Sequence, residues 1–184
     1  EALGLLALAD PERATRPCTE QFELGDNLTD RLAALAAMTL IPGAARDMLI
    51  ERFAAAYADE PLVLDKWLMA QALIPEPGTV RELMRHKAFS LGNPNRVRSL
   101  IGGFAANLTQ FNRADGAGYN FVADIVIALD RTNPQVASRL LAAFKSWRML
   151  EPARRSLAEN ALAMVAQTPN LSRDVADIAE RALA

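Results

Sequence analysis

The stretch NPNRVRSL, Asn93 to Leu100, is echoed by NPQVASRL, Asn133 to Leu140. In each, Asn stands where its side chain can accept from an orphan backbone N–H of a helix's first turn. Pro follows at the first helical position, where its missing N–H costs nothing. Each pair therefore opens a helix. Like helix starts about 40 residues apart have the spacing of stacked helical hairpins of the HEAT or armadillo kind.

On a helical wheel Val97, Leu100, Ile101 and Phe104 form one apolar stripe, and Val136, Leu140, Leu141 and Phe144 form another. The opposite faces differ from ordinary solvated faces rich in Lys and Glu. One holds Asn95, Ser99 and Gly102, flanked by Arg96 and Arg98. The other holds Gln135, Ser138, Arg139 and Ala142. Two readings stand side by side: close packing against a neighbouring helix, or a cavity wall whose Arg forks meet carboxylates and carbonyls of a ligand.

The rest of the chain supports a helical array. Its 184 residues allow one domain with a sizeable core or one compact repeat array. Hydrophobic residues make up 51%, and helix-forming Ala and Leu dominate them. Twenty Lys and Arg against 22 Asp and Glu give a formal charge of −2, so there is no electrostatic footprint for nucleic acid or an anionic membrane. No apolar run reaches the ~18–20 residues that span a bilayer. Cys18 is the only cysteine, which fits a reducing, cytoplasmic setting.

Along the chain, Glu1 to Ala9 is expected to be the later part of a helix, and the absence of an initial Met or cap suggests a C-terminal piece of a longer protein. Residues 1–25 are leading helices, with Arg13 to Gly25 broken by Pro17. Asp26, Asn27 and Thr29 are candidate caps for a helix to about Leu40. Ala44 to Ala58 completes a hairpin, with Ala45, Met48, Leu49, Phe53 and Ala56 inward. Pro61 opens a helix to about Leu73, with Leu64, Trp67 and Leu68 inward, and Pro75, Pro77 and Gly78 break it. Thr79 can cap a short helix. Leu108 to Gly118 is loose and ends in a turn at Asp115 to Gly118.

Tyr119 to Arg131 places Val122, Ile125, Val126 and Leu129 at helical spacing. The Asn133 helix runs to about Trp147. A helix from Pro152 directs Leu157, Ala161, Met164 and Val165 inward, and Ser172 caps the last, with Val175, Ile178, Ala179 and Ala182 as its stripe. The sum is ten or eleven short helices. A single short hairpin buries too little to offset its ordering entropy of ~1–2 kcal/mol per residue, so stacking in a solenoid is favoured.

The residues that would carry catalysis are sparse. His86 is the only histidine, so no His-x-x-x-His pair exists, and with one Cys no structural zinc site is expected. Gly102-Gly103 has no preceding strand and no following G-K-[ST], and is no phosphate loop. Asp124 and Asp130 read as solvated or paired with Arg. Alone, the chain is expected to be no enzyme.

Five ordered motifs carry a family resemblance: Thr29 to Leu35 (TDRLAAL), Asp65-Lys66-Trp67, Asn93 to Leu100, Asp115 to Tyr119 (DGAGY) and Asn133 to Leu140. From about Leu28 to Ala184 the chain resembles the C-terminal domain of bacterial aminopeptidase N, the zinc-dependent alanyl aminopeptidases of the gluzincin type. The resemblance implies an all-α fold, a right-handed HEAT/armadillo-like superhelix of paired helices, forming one cap domain over residues 1–184 that closes a cavity above the active site. The G-A-M-E-N loop and the H-E-x-x-H zinc helix of that family do not occur here. The resemblance thus implies no catalytic or metal residue in this chain, zinc in an upstream catalytic domain of the same polypeptide, and peptide substrates. Arg96 and Arg139 match cavity-facing positions, with Arg98 beside them as a further substrate-contact candidate. Asn93 and Asn133 match the caps that orient their helices. A free-standing helical-repeat scaffold that binds a peptide or protein on its concave face is the alternative.

Overall fold

The structure is a computed structural model that describes residues 1–76 and 78–184; Pro77, read as part of a break, lies outside the described residues. Among these residues there are helices and turns and no strand. The chain divides into two compact units, Glu1–Ala88 and Phe89–Ala184.

The first unit holds α1 (Ala2–Ala9), α2 (Pro11–Leu24), α3 (Leu28–Met38), α4 (Ala44–Ala56), α5 (Pro61–Ala72) and α6 (Thr79–Leu83). Caps and prolines set most of the boundaries. Asp10 Oδ1 accepts from the Arg13 N–H at 3.0 Å with Pro11 at the first turn of α2, and Asn27 Oδ1 accepts from the Asp30 N–H at 2.9 Å to start α3. Gly43, at φ 131°, supplies the left-handed turn into α4, which packs against α3 as the expected hairpin. Leu35, Met38, Leu49, Phe53 and Leu68 are fully buried. Each such side chain contributes about 1.5–3 kcal/mol. Phe22 and Phe53 lie 6.3 Å apart by ring centroid, and Trp67 donates from Nε1 to the Ile50 carbonyl at 3.0 Å.

Several expectations for this unit change. Pro17 does not break its helix; α2 runs through it. Pro17 removes one helical hydrogen bond, but Ala14, Cys18 and Phe22, four residues apart, form a buried face that holds the helix in place. Met48 and Ala56 are exposed, because only Leu49 and Phe53 of α4 reach the core. Gly78, at φ 100°, stands at the N-cap of α6, and Thr79 is its first residue and donates instead to the Glu76 carbonyl at 3.2 Å.

In the second unit, one helix from Asn93 comprises α7 (Pro94–Val97), a π-helical stretch (Arg98–Gly102) and α8 (Gly103–Ala106). There follow α9 (Leu108–Phe111), α10 (Ala117–Asp130), α11 (Pro134–Leu140), two 3₁₀ turns (Leu141–Phe144 and Trp147–Met149), α12 (Pro152–Ala166) and α13 (Arg173–Leu183). α10 packs against α11 and α12, and α13 against α11 and α12. The rings of Phe111, Tyr119 and Phe144 meet at centroid distances of 5.1, 5.3 and 6.1 Å.

Here the widened π turn was not legible from a 3.6-residue wheel. The expected loose stretch contains α9, started by Asn107, whose Oδ1 accepts from the Gln110 N–H. The Asn133 helix tightens to 3₁₀ geometry after Leu140 rather than running to Trp147. Met164 and Ile178 are exposed, since Ala158, Ala161, Leu162 and Val165 fill the inner face of α12, and Val175 and Ala179 that of α13.

Candidate functional site

The two Asn-Pro starts are built as expected. Asn93 Oδ1 accepts from the N–H groups of Asn95 and Arg96 at 3.0 and 3.3 Å, and Asn133 Oδ1 accepts from Val136 at 3.2 Å. Both apolar stripes are buried throughout. The π stretch after α7 packs against α11, which brings the two motif helices together.

The small-residue faces divide between the two readings. Ser99 and Ser138 are buried, the latter donating to the Gln135 carbonyl at 3.1 Å, as close packing requires. Asn95, Gln135, Arg139 and Ala142 are exposed. The three arginines have unlike surroundings. Arg96 is 8% exposed and has partners. Arg98 is exposed, with Nε donating to the Pro94 carbonyl at 3.2 Å and a terminal nitrogen donating to Asn95 Oδ1. Arg139 is exposed, and its guanidinium makes no hydrogen bond or ion pair with the described residues.

Next to these helices lies the DGAGY turn. Gly116, at φ 71°, precedes α10, and Asp115 Oδ1 accepts from the Ala117 N–H at 3.0 Å. The Arg113 guanidinium and then the Ala117 N–H hold the Asp115 carboxyl down at about 2. A Cβ on Gly118 would sit 2.3 Å from the Phe111 carbonyl oxygen, so no larger residue fits. Tyr119 donates to Asn112 Oδ1 at 3.0 Å, and Arg154 Nε donates to the Asn112 carbonyl at 2.7 Å. These are ties between α10, α12 and the loop. Asp130, read as solvated or Arg-paired, is buried and bonded to Ser172. No local signal links residues 42 positions apart.

The donors for a metal do not gather. Among the described residues no three His, Cys, Asp or Glu side chains are placed to hold an ion. Cys18 is buried in the first unit, and burial pushes its thiol up, away from the thiolate a metal needs. The His86 ring lies 5.1 Å from that of Trp67, and its Nδ1 accepts from the Ala88 N–H at 3.1 Å. These residues do not fit zinc.

An all-helical chain of short paired elements with capped starts defines a helical-repeat domain. The chain belongs to the family described as a domain of unknown function (DUF3458_C) with ARM repeats, whose model matches residues 1–184. It is 37% identical to aminopeptidase N of Escherichia coli strain K12, over 99% of this chain and 21% of that protein. It is 37% identical to aminopeptidase N of Haemophilus influenzae, over 89% of this chain and 19% of that one. A crystal structure of Legionella pneumophila aminopeptidase A in complex with aspartic acid matches 98% of this chain and 22% of its own, at 31% identity and TM-score 0.89. The chain thus spans about a fifth of the length of these relatives. The resemblance to the C-terminal domain of aminopeptidase N holds, and it extends to the first 25 residues, beyond the Leu28 start read from motifs.

Proposed function

We propose that this chain is a non-catalytic cap domain of a zinc-dependent aminopeptidase, packed on a catalytic domain upstream in the same polypeptide. The observation that carries this reading is 37% identity over nearly the whole chain to about one fifth of aminopeptidase N. The scattered His, Cys and acidic residues support it, since they give this part no metal ligand set among the described residues. Zinc in the catalytic domain would supply Lewis-acid chemistry when bound. The cap closes the cavity, excludes bulk water and admits unfolded peptide. A cytoplasmic setting goes with this reading, because a single cysteine allows no intrachain disulfide.

The cap's own contribution is recognition of the peptide beyond its first residue. Arg139, with an exposed guanidinium not bonded to any described residue, is the strongest donor for it. Arg98 is also exposed, its guanidinium already held by the Pro94 carbonyl and Asn95 Oδ1. Arg96 is largely buried and already has partners.

A charge-assisted hydrogen bond is worth about 1.5–3 kcal/mol, so Arg139→Ala in the full polypeptide should lower kcat/KM on a tripeptide roughly tenfold to a hundredfold. An alanyl anilide, which places little beyond the scissile bond, should lose less. The measurement is the ratio of the two kcat/KM values in wild type, Arg139→Ala and Arg96→Ala. A ratio unchanged in both variants sinks the substrate-contact assignment and leaves both arginines structural.

A further inference from the structure

The two 3₁₀ turns and the end of α13 enclose a groove of about 330 Å³ in the second unit. Ile178 gives it an apolar wall, with Leu141 and Phe144 buried beneath it, and Lys145, Arg148 and Arg181 stand around it. No Asp or Glu is among the lining residues. Ile178 is 37% exposed although it lies in the stripe of α13, so the wall is partly open.

The cations keep their charge available. The Arg148 guanidinium lies 4.5 Å over the Trp147 ring and donates to the Ala182 and Leu183 carbonyls at 2.6 and 2.9 Å. All its partners are neutral, so it is held in place without being neutralised. It also covers two carbonyls at the negative end of α13, which would otherwise repel an anion. The Lys145 ammonium is exposed and makes no hydrogen bond or ion pair with the described residues. Arg181 reaches Asp177 only at 3.5 Å, across an exposed pair that contributes little.

We propose that this groove binds a small amphipathic carboxylate, its head among Lys145, Arg148 and Arg181 and its apolar chain against Ile178. The volume is at the small end of ligand pockets of about 300–1,000 Å³, which sets the chain at roughly six to ten carbons. Arg148 gives an ordered fork of donors suited to a carboxylate, so binding orders little else. The assignment is independent of the cap function proposed above.

The test uses the full polypeptide and a photoreactive eight-carbon fatty acid bearing a diazirine, with cross-linked peptides mapped by mass spectrometry. Label should fall on 141–148 or 178–182. Octanoate should compete and octylamine should not, because the rim discriminates by charge. Lys145→Glu with Arg181→Glu changes two exposed side chains and should lower labelling about tenfold, with circular dichroism and Tm as in wild type. If that pair fails to fold, Lys145→Gln with Arg181→Gln gives the same reading. Label confined to other segments, equal competition by the amine, no labelling at all, or undiminished labelling in the folded double variant would each overturn the proposal.

Discussion

Ser172 binds both oxygens of the Asp130 carboxylate, its backbone N–H donating to Oδ2 at 2.7 Å and its hydroxyl to Oδ1. The same hydroxyl oxygen accepts from the Val175 N–H at 3.3 Å, so the last residue of α10 fixes the cap of α13. Asp130 is only 6% exposed, and its loss strands the Ser172 N–H. Hydrogen bonds to a charged group are worth about 1.5–3 kcal/mol, so Asp130→Ala should destabilise the chain by about 3 kcal/mol, and Asp130→Asn, with one remaining acceptor, by less. Urea unfolding midpoints check this, and a Ser172→Ala cycle should show non-additivity with Asp130→Ala.

Gly118 and Gly4 should respond in opposite directions to a methyl group. At Gly118 a Cβ would meet the Phe111 and Gln110 carbonyl oxygens at 2.3 and 2.5 Å, and backbone cannot swing aside. Gly118→Ala should therefore cost at least about 3 kcal/mol, at the upper end of overpacking. Gly4, inside α1, has nothing within 4 Å of its added Cβ. Gly4→Ala should gain roughly 0.5–1 kcal/mol from lower unfolded-state entropy and better helix propensity. Thermal melts of the two variants, run side by side, settle the contrast.

The helix starts were legible because a cap is a local device. Asn27, Asn93, Asn133 and Ser172 each act within three residues of themselves. The stripes of the Asn93 and Asn133 helices were legible for the same reason. A wheel, however, gives a face and leaves open how much of it a neighbour covers. Met48, Met164 and Ile178 lie at helical spacing with buried residues and are exposed. Leu5 and Leu8, on a helix apolar all round, are each 69% exposed. Pro17, inside a helix whose buried face continues past it, shows packing overriding a local rule. Within the site, sequence placed Arg96, Arg98 and Arg139 opposite the core. Their unlike burial does not follow from their place on the wheel.

Asp115 offers a pH test. Its carboxyl titrates at about 2, held there first by Arg113 and then by the Ala117 N–H. A depressed carboxylate pKa adds stability that is complete above the unfolded value of about 4 and is lost as pH falls through the folded value. The Asp115 contribution should therefore fade between about pH 4 and pH 2 and be constant at neutral pH. Carbon-detected NMR titration of the Asp115 carboxyl checks the value. In Arg113→Gln the titration should move up toward that of an ordinary Asp, and an unmoved midpoint would show that the Arg113 pair is not its cause.

The two Asn caps should differ in strength. Asn93 accepts from two N–H groups and starts a helix that continues through the π turn to Ala106, whereas Asn133 accepts from one. Cap removal costs about 0.5–2 kcal/mol. Asn93→Ala should lie toward the upper end of that range and Asn133→Ala toward the lower. Asn93→Asp keeps the acceptor and adds a negative charge at a helix N-terminus, so it should retain wild-type stability or gain a few tenths of a kcal/mol. One of the donors Asn93 holds is the backbone of Arg96, and Arg98 follows two residues later. Under the cap reading, loss of the Asn93 acceptor loosens the backbone that presents both arginines. Tripeptide kcat/KM should then fall in Asn93→Ala and recover in Asn93→Asp. Unfolding midpoints of the three variants test the structural half. Equal kinetics in Asn93→Ala and Asn93→Asp, at unequal stability, would detach the cap from substrate recognition.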